Sequence, residues 1–199
     1  MKKWSMSFRL WHWLHAFVVL GLLGTVLLRK TFLSWRTNSE ILATKLSTMD
    51  IEVSTEQAKL LAKAVRAPMW EWHIILGYAL AALLLFRVAL FFTQSGKQNF
   101  IDIKSSTLHK KMVKIGYIGI YSILGFMALS GLSIHFYEEL GLLKETAHDI
   151  KEIHELVFNA VWIFVAMHIV GVVVADSRDE KGMISDMING GNAPVNKKM

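Results

Sequence analysis

The chain has no cysteine among its 199 residues. That absence excludes disulfides, thiolate-bound metal and the Cys-x-x-Cys-His attachment that fixes c-type haem covalently. Charge is also scarce. Charged residues make up 19% of the chain against 53% hydrophobic, and the mean hydropathy is +0.39. A soluble domain of this length is less apolar and more charged. Carboxylates are missing from the middle of the apolar runs, which argues against cation transport. The net charge is +6, but the basic residues flank apolar stretches. Membrane orientation explains that distribution, and no nucleic-acid partner is expected.

What is present is four apolar runs, at about 8–28, 72–92, 112–133 and 154–175. Each has about 20 residues, enough to cross a bilayer core as a helix. The charges inside them, Arg9, Arg87, Lys114 and Glu155, all lie near the ends. Pro68 suits the first helical position before the second span. Thr146 with Asp149 resembles a capping box that starts the fourth helix well before His154, and Ser54 with Gln57 resembles another. The first run follows Lys2 and Lys3 but is longer than a signal-peptide core, so it reads as an uncleaved helix. The expected fold is a single all-α membrane domain over 1–199, a four-helix antiparallel bundle.

Basic residues set the orientation. Lys2, Lys3 and Arg9 lie in the N-terminal tail, Lys97, Lys104, Lys110 and Lys111 in the second connection, and Arg178, Lys181, Lys197 and Lys198 near the C-terminus. The third connection is acidic. The positive-inside rule then puts both termini in the cytoplasm and the connection 29–71 outside. That connection holds amphipathic patterns at 38–49 and 54–65, read as short helices capping the outer mouth.

The histidines carry the chemistry. His154 and His168 stand fourteen residues apart on one apolar run. On a helix they lie within about 40° of one face and about 21 Å apart along the axis. A histidine in lipid is costly and usually functional. Antiparallel topology pairs His154 with His73 at the outer level, and His168 with either His12 or His15 at the inner level. Two pairs at two depths would hold two non-covalent bis-histidine haems, with one helix contributing to both. Two imidazoles fill both axial positions, which suits electron transfer rather than oxygen binding. Gly77 and Gly171, each about a turn beyond a histidine, would let a flat macrocycle approach the backbone. Arg9 and Arg87 reach the inner level, where each would either neutralise a haem propionate or snorkel to the interface. His15, one turn from His12, reads as a residue supporting that ligand or as interfacial, and His109, His135 and His148 as solvated or interfacial. Trp4, Trp11, Trp13, Trp35, Trp70 and Trp72 read as interfacial anchors, and Trp162, between the two histidines, as core packing.

At these residues the chain resembles the bacterial di-haem cytochrome b-561 family, which includes b-type subunits of nickel–iron hydrogenases and formate dehydrogenases. The resemblance rests on Arg9-Leu-Trp-His12-Trp13, on His73 with Gly77 and Arg87, on His154 and His168 followed by Ile169-Val-Gly171, and on the tail from Met183 to Gly190. It covers nearly the whole chain. It implies His12, His73, His154 and His168 as ligands of two haem b groups, with His12 chosen over His15 because the family's ligand belongs to a His-Trp pair.

The resemblance also implies electron transfer across the bacterial inner membrane between the quinone pool and a periplasmic or membrane redox partner. Two versions compete: the membrane anchor of a larger dehydrogenase or hydrogenase, and a free-standing quinol-linked or superoxide-oxidising cytochrome. No isolated acid–base group marks a quinone site, and Glu155 is the nearest candidate for proton handling. The rival of another class is a small metal-handling transporter. It would need ligands converging within a few ångströms, which about 21 Å between His154 and His168 does not allow.

Overall fold

A computed structural model describes residues 4–92, 108–178 and 180–190. The second connection's basic residues at 97 and 104 lie outside the described residues, as do the side chains of His109, Lys110, Lys111 and Lys114. Helices alone form the regular structure of the described residues: α1 (Met6–Lys30), α2 (Trp35–Ser47), α3 (Thr55–Phe92), α4 (Leu108–His135), α5 (Lys144–Ser177) and α6 (Met183–Asn189). Four of them, α1, α3, α4 and α5, are long and apolar enough to cross a membrane.

The surface supports that reading. Phe17, Leu85, Phe92, Leu129, Leu156 and Val170 each expose 63% to 78% of their area. Large apolar side chains in such numbers face water at a high cost but face lipid at none. The inside holds Thr25, Ser130 and Arg87, each buried to 7% exposure or less. A polar group inside and an apolar coat outside is the arrangement expected when hydrocarbon is the solvent.

The helices start and stop for local reasons, with two departures from expectation. Ser54 and Gln57 form the expected reciprocal cap: the Gln57 amide donates to Ser54 Oγ at 3.2 Å, and the Ser54 amide donates to Gln57 Oε1 at 2.8 Å. That cap opens a helix that runs unbroken to Phe92, so Pro68 lies inside α3 and not at the start of a separate span. The amphipathic pattern at 54–65 is therefore the first part of α3, and only α2 is a separate short helix in this connection. Proline removes one amide and crowds the carbonyl four residues back, here that of Ala64. Ending the helix there would instead expose a whole turn of backbone groups beside lipid. The second departure is at α5, which begins at Lys144 behind Leu143 with no side-chain cap, so Thr146 and Asp149 lie within its first turns instead of capping it.

The chain falls into two compact units, Met1–His15 with Ala81–Met199, and Ala16–Leu80. In the second unit α1 meets α3 at Gly21. A Cβ added at Gly21 would sit 3.0 Å from Leu76 Cδ1, so glycine lets the helices approach there. Arg29 lies over the Trp70 ring, and Lys59 of α3 over Trp35 of α2. In the first unit α4 packs along α5, with Leu124, Ala128, Phe158 and Val161 in the core. Trp162 sets its ring edge-on to Phe158 at 6.5 Å.

Replacing Pro68 with alanine restores an amide and removes the ring clash. Pro68→Ala is expected to raise the thermal midpoint of the detergent-solubilised protein, by an amount corresponding to about 1–3 kcal/mol. A lowered midpoint would show that neighbouring helices need the distortion proline imposes.

Candidate haem sites

In the first unit the start of α1 meets the end of α3 and the middle of α4 and α5. Trp11 is buried, contrary to the interfacial position expected for it, because its indole Nε1 donates to the Leu83 carbonyl at 2.8 Å. A buried indole needs such a partner. The Phe8, Trp11 and Tyr121 rings lie around the Arg87 guanidinium at 5.4, 5.5 and 5.9 Å. Arg87 Nε donates to the Tyr121 hydroxyl at 3.2 Å. Its Nη1 is buried with no hydrogen-bond partner. The aromatic faces offset part of the cost of burying the cation, but they supply no anion.

One turn along α1 from that cluster, the His12 ring faces the His168 ring of α5. Their centroids are 6.1 Å apart with an interplanar angle of 57°. His168 also stacks on Phe164, one turn earlier, at 9°. His15 stacks on Trp11 at 4.9 Å, and its Nδ1 is buried without a partner. Two imidazoles on opposite sides of one metal ion, each nitrogen about 2 Å from it, have ring centres about 6 Å apart. The His12–His168 separation matches that figure.

The chemistry of the donors also suits haem. Two half-buried imidazoles face each other, the neighbouring Trp11 packs on a buried guanidinium with an orphaned N–H, and haem brings both an iron and propionate carboxylates. Gly171, about one turn past His168, has nothing within 4 Å of where a Cβ would stand, so space remains open beside its backbone.

Arg9 is drawn elsewhere. Its Nη1 donates to the Ile188 carbonyl at 3.4 Å, and Trp13 Nε1 donates to the Met187 carbonyl at 3.3 Å. Both carbonyls belong to the last turn of α6, where carbonyls lack intrahelical partners and a cation is favoured. At the other end of α6 the Ile184 amide donates to Asp176 Oδ1 of α5 at 3.0 Å, and Asp186 is buried. The amphipathic tail segment is thereby held against the turn of α1 that carries His12.

The other two histidines share a pattern, each in its own unit. His73 of α3 meets Thr25 of α1 through Nδ1 and Oγ1 at 2.7 Å. His154 of α5 meets Ser130 of α4 through Nδ1 and Oγ at 2.8 Å. Beside Ser130, Gly131 borders the His154 ring, where a Cβ would stand in ordinary contact 3.5 Å from His154 Cε1. At Gly77, one turn past His73, a Cβ would meet nothing within 4 Å. Sequence reasoning missed Thr25 and Ser130. The available signal was a hydroxyl residue within an apolar run, facing a helix that carries a histidine.

The remaining histidines sit at the surface. His148 is exposed and pairs with Glu152 at 3.7 Å, and His135 is exposed at the end of α4. Glu155 lies 3.8 Å from Lys151 on the same helix. Among the described residues no three histidine or acidic side chains gather as a direct metal centre would require. A bis-histidine haem takes only two.

A four-span, all-helical membrane protein with imidazoles gathered between its helices belongs to the class of membrane cytochromes. The model of the prokaryotic cytochrome b561 family matches residues 3–190, and the chain belongs to that family. It is thus a transmembrane b-type cytochrome of electron transfer. No curated protein and no solved structure matches it.

Gly190 ends α6 with φ 77°, and a Cβ there would stand 2.5 Å from Arg9 Nη1. Gly190→Ala is therefore expected to detach α6 from α1. Protease cutting between α5 and α6 should speed up severalfold, with a change in tryptophan emission as Trp13 loses its carbonyl partner. Unchanged cutting would mean that the contacts of Arg9 and Trp13 do not hold the helix.

Proposed function

We propose that this protein carries electrons across the bacterial inner membrane through two haem b groups, each held by two histidines. His12 and His168 bind the inner one. His73 and His154 bind the outer one. The observation that carries the reading is the His12–His168 ring separation of 6.1 Å. The outer pair rests on topology. His154 precedes His168 by fourteen residues on α5, as His73 precedes Arg87 on α3, a rise of about 21 Å in each helix. Haem at these two levels would supply one-electron carriers with both axial positions filled.

The chain's own residues have separate parts in this scheme. The four histidines fix the iron positions. Arg87 offers its orphaned Nη1 to a propionate, and its aromatic collar keeps water from that end. Arg9 secures α6 over the inner ligand turn, and from there a propionate is a second use for its guanidinium. Gly77 and Gly171 leave room for a macrocycle edge. A quinone is the electron partner on one side and a periplasmic or membrane redox protein on the other. Both termini face the cytoplasm, as the basic flanks of the spans favour.

Reduced-minus-oxidised spectra of the purified protein, with haem assayed per chain, test this scheme. The expected result is low-spin b-type bands and two haems. His73→Ala and His154→Ala should each remove one haem and spare the other, and His12→Ala and His168→Ala should each remove the other one. Two haems retained after any of these four changes would refute the assignment of that histidine.

A further inference from the structure

His73 and His154 are each met at Nδ1 by a buried hydroxyl, and the hydrogen bonds around both hydroxyls have the same logic. Thr25 Oγ1 lies 2.6 Å from the Leu22 carbonyl of its own helix, and Ser130 Oγ lies 2.6 Å from the Phe126 carbonyl of its own. Ser130 has a longer contact with the Met127 carbonyl at 3.3 Å. A carbonyl only accepts, so each hydroxyl proton points back into its helix. A hydroxyl has one proton. The contact with the histidine is therefore Nδ1–H donating to oxygen. In that tautomer Nε2 is the nitrogen with the lone pair, and it is the one able to bind iron. Among the described residues His12 and His168 have no such hydroxyl on either ring nitrogen.

We propose that Thr25 and Ser130 are positioning residues for His73 and His154: each holds its histidine in the tautomer that binds iron through Nε2, and each tunes how easily that iron is reduced. The inference rests on His73 and His154 being haem ligands. An Nδ1–H that donates a hydrogen bond makes the imidazole a stronger electron donor, and a stronger donor favours ferric over ferrous iron. A hydroxyl already donating to a backbone carbonyl is polarised toward accepting, which strengthens the effect. Removing the hydroxyl makes the iron easier to reduce. Only the haem held by these two histidines should respond, because His12 and His168 lack the device.

The test is a potentiometric titration of the haem-loaded protein, followed by haem absorbance, with haem content measured for every variant. Thr25→Val and Ser130→Ala remove the hydroxyls, while Thr25→Ser and Ser130→Thr keep them. Two haems per chain are expected in all four. In each hydroxyl-free variant one midpoint rises, the same one in both. At the potential where that haem is half reduced in the wild type, its reduced-to-oxidised ratio should be severalfold higher. The second midpoint stays in place, and the hydroxyl-keeping variants behave as wild type.

Unchanged midpoints in Thr25→Val and Ser130→Ala would overturn the proposal. So would equal shifts in the hydroxyl-keeping variants, since shape rather than hydrogen bonding would then be responsible. If a hydroxyl-free variant loses a haem outright, retention by its hydroxyl-keeping counterpart supports the proposal and loss by both overturns it. Failure of the ligand assignment is seen separately, as two haems surviving His73→Ala or His154→Ala.

Discussion

An imidazole inside an apolar helix packing has two nitrogens to satisfy, and this requirement shapes the protein. Water is absent and the backbone carbonyls are mostly committed to their own helices. At His73 and His154 the problem is met at one nitrogen by a hydroxyl from the facing helix. Each hydroxyl needs its own outlet, found at a carbonyl one turn back. The chain of dependence runs from histidine to hydroxyl to helix, and it fixes the rotation of α1 against α3 and of α4 against α5. At His12 and His168 the rings face each other instead, and a shared metal would answer the same requirement.

Arg87 shows the same economy applied to charge. A guanidinium at 7% exposure is expensive in any protein and more so in lipid. Three aromatic faces and a phenol oxygen take up part of the cost, and the orphaned Nη1 marks where an anion would complete the balance. The apolar exterior keeps these polar groups inside, since rotating α3 outward would bring Arg87 into hydrocarbon. Function and fold are in this sense enforced by one solvent.

The sequence made the spans legible because hydropathy summed over about twenty residues outweighs any local signal. The Ser54–Gln57 cap was legible for the opposite reason, being complete within four residues. Pro68 was misread because its rule concerns an isolated helix in water, where a break costs little. Trp11 was misread because an indole near a helix start usually seeks the interface, whereas here the Leu83 carbonyl was within reach. Helix rise and topology brought His168 to the level of His12 and His15, and the ring of His12 is the one it faces. The hydroxyl partners were not legible, since a Thr or Ser in an apolar run looks like any residue bonding back to its own helix. The turn of Arg9 toward α6 was also hidden, because it depends on where a distant tail returns.

The contacts of Arg9 and Trp13 with α6 have a consequence for biosynthesis. His12 leaves the ribosome well before α5, which carries the ring it faces, and the segment that covers their turn is made after both. Insertion therefore proceeds for most of synthesis with half a site in the membrane and nothing to close it. Haem would have to wait for, or recruit, the late-made half. The order of translation thus separates the moment at which the helices enter the bilayer from the moment at which the chain can retain its pigment.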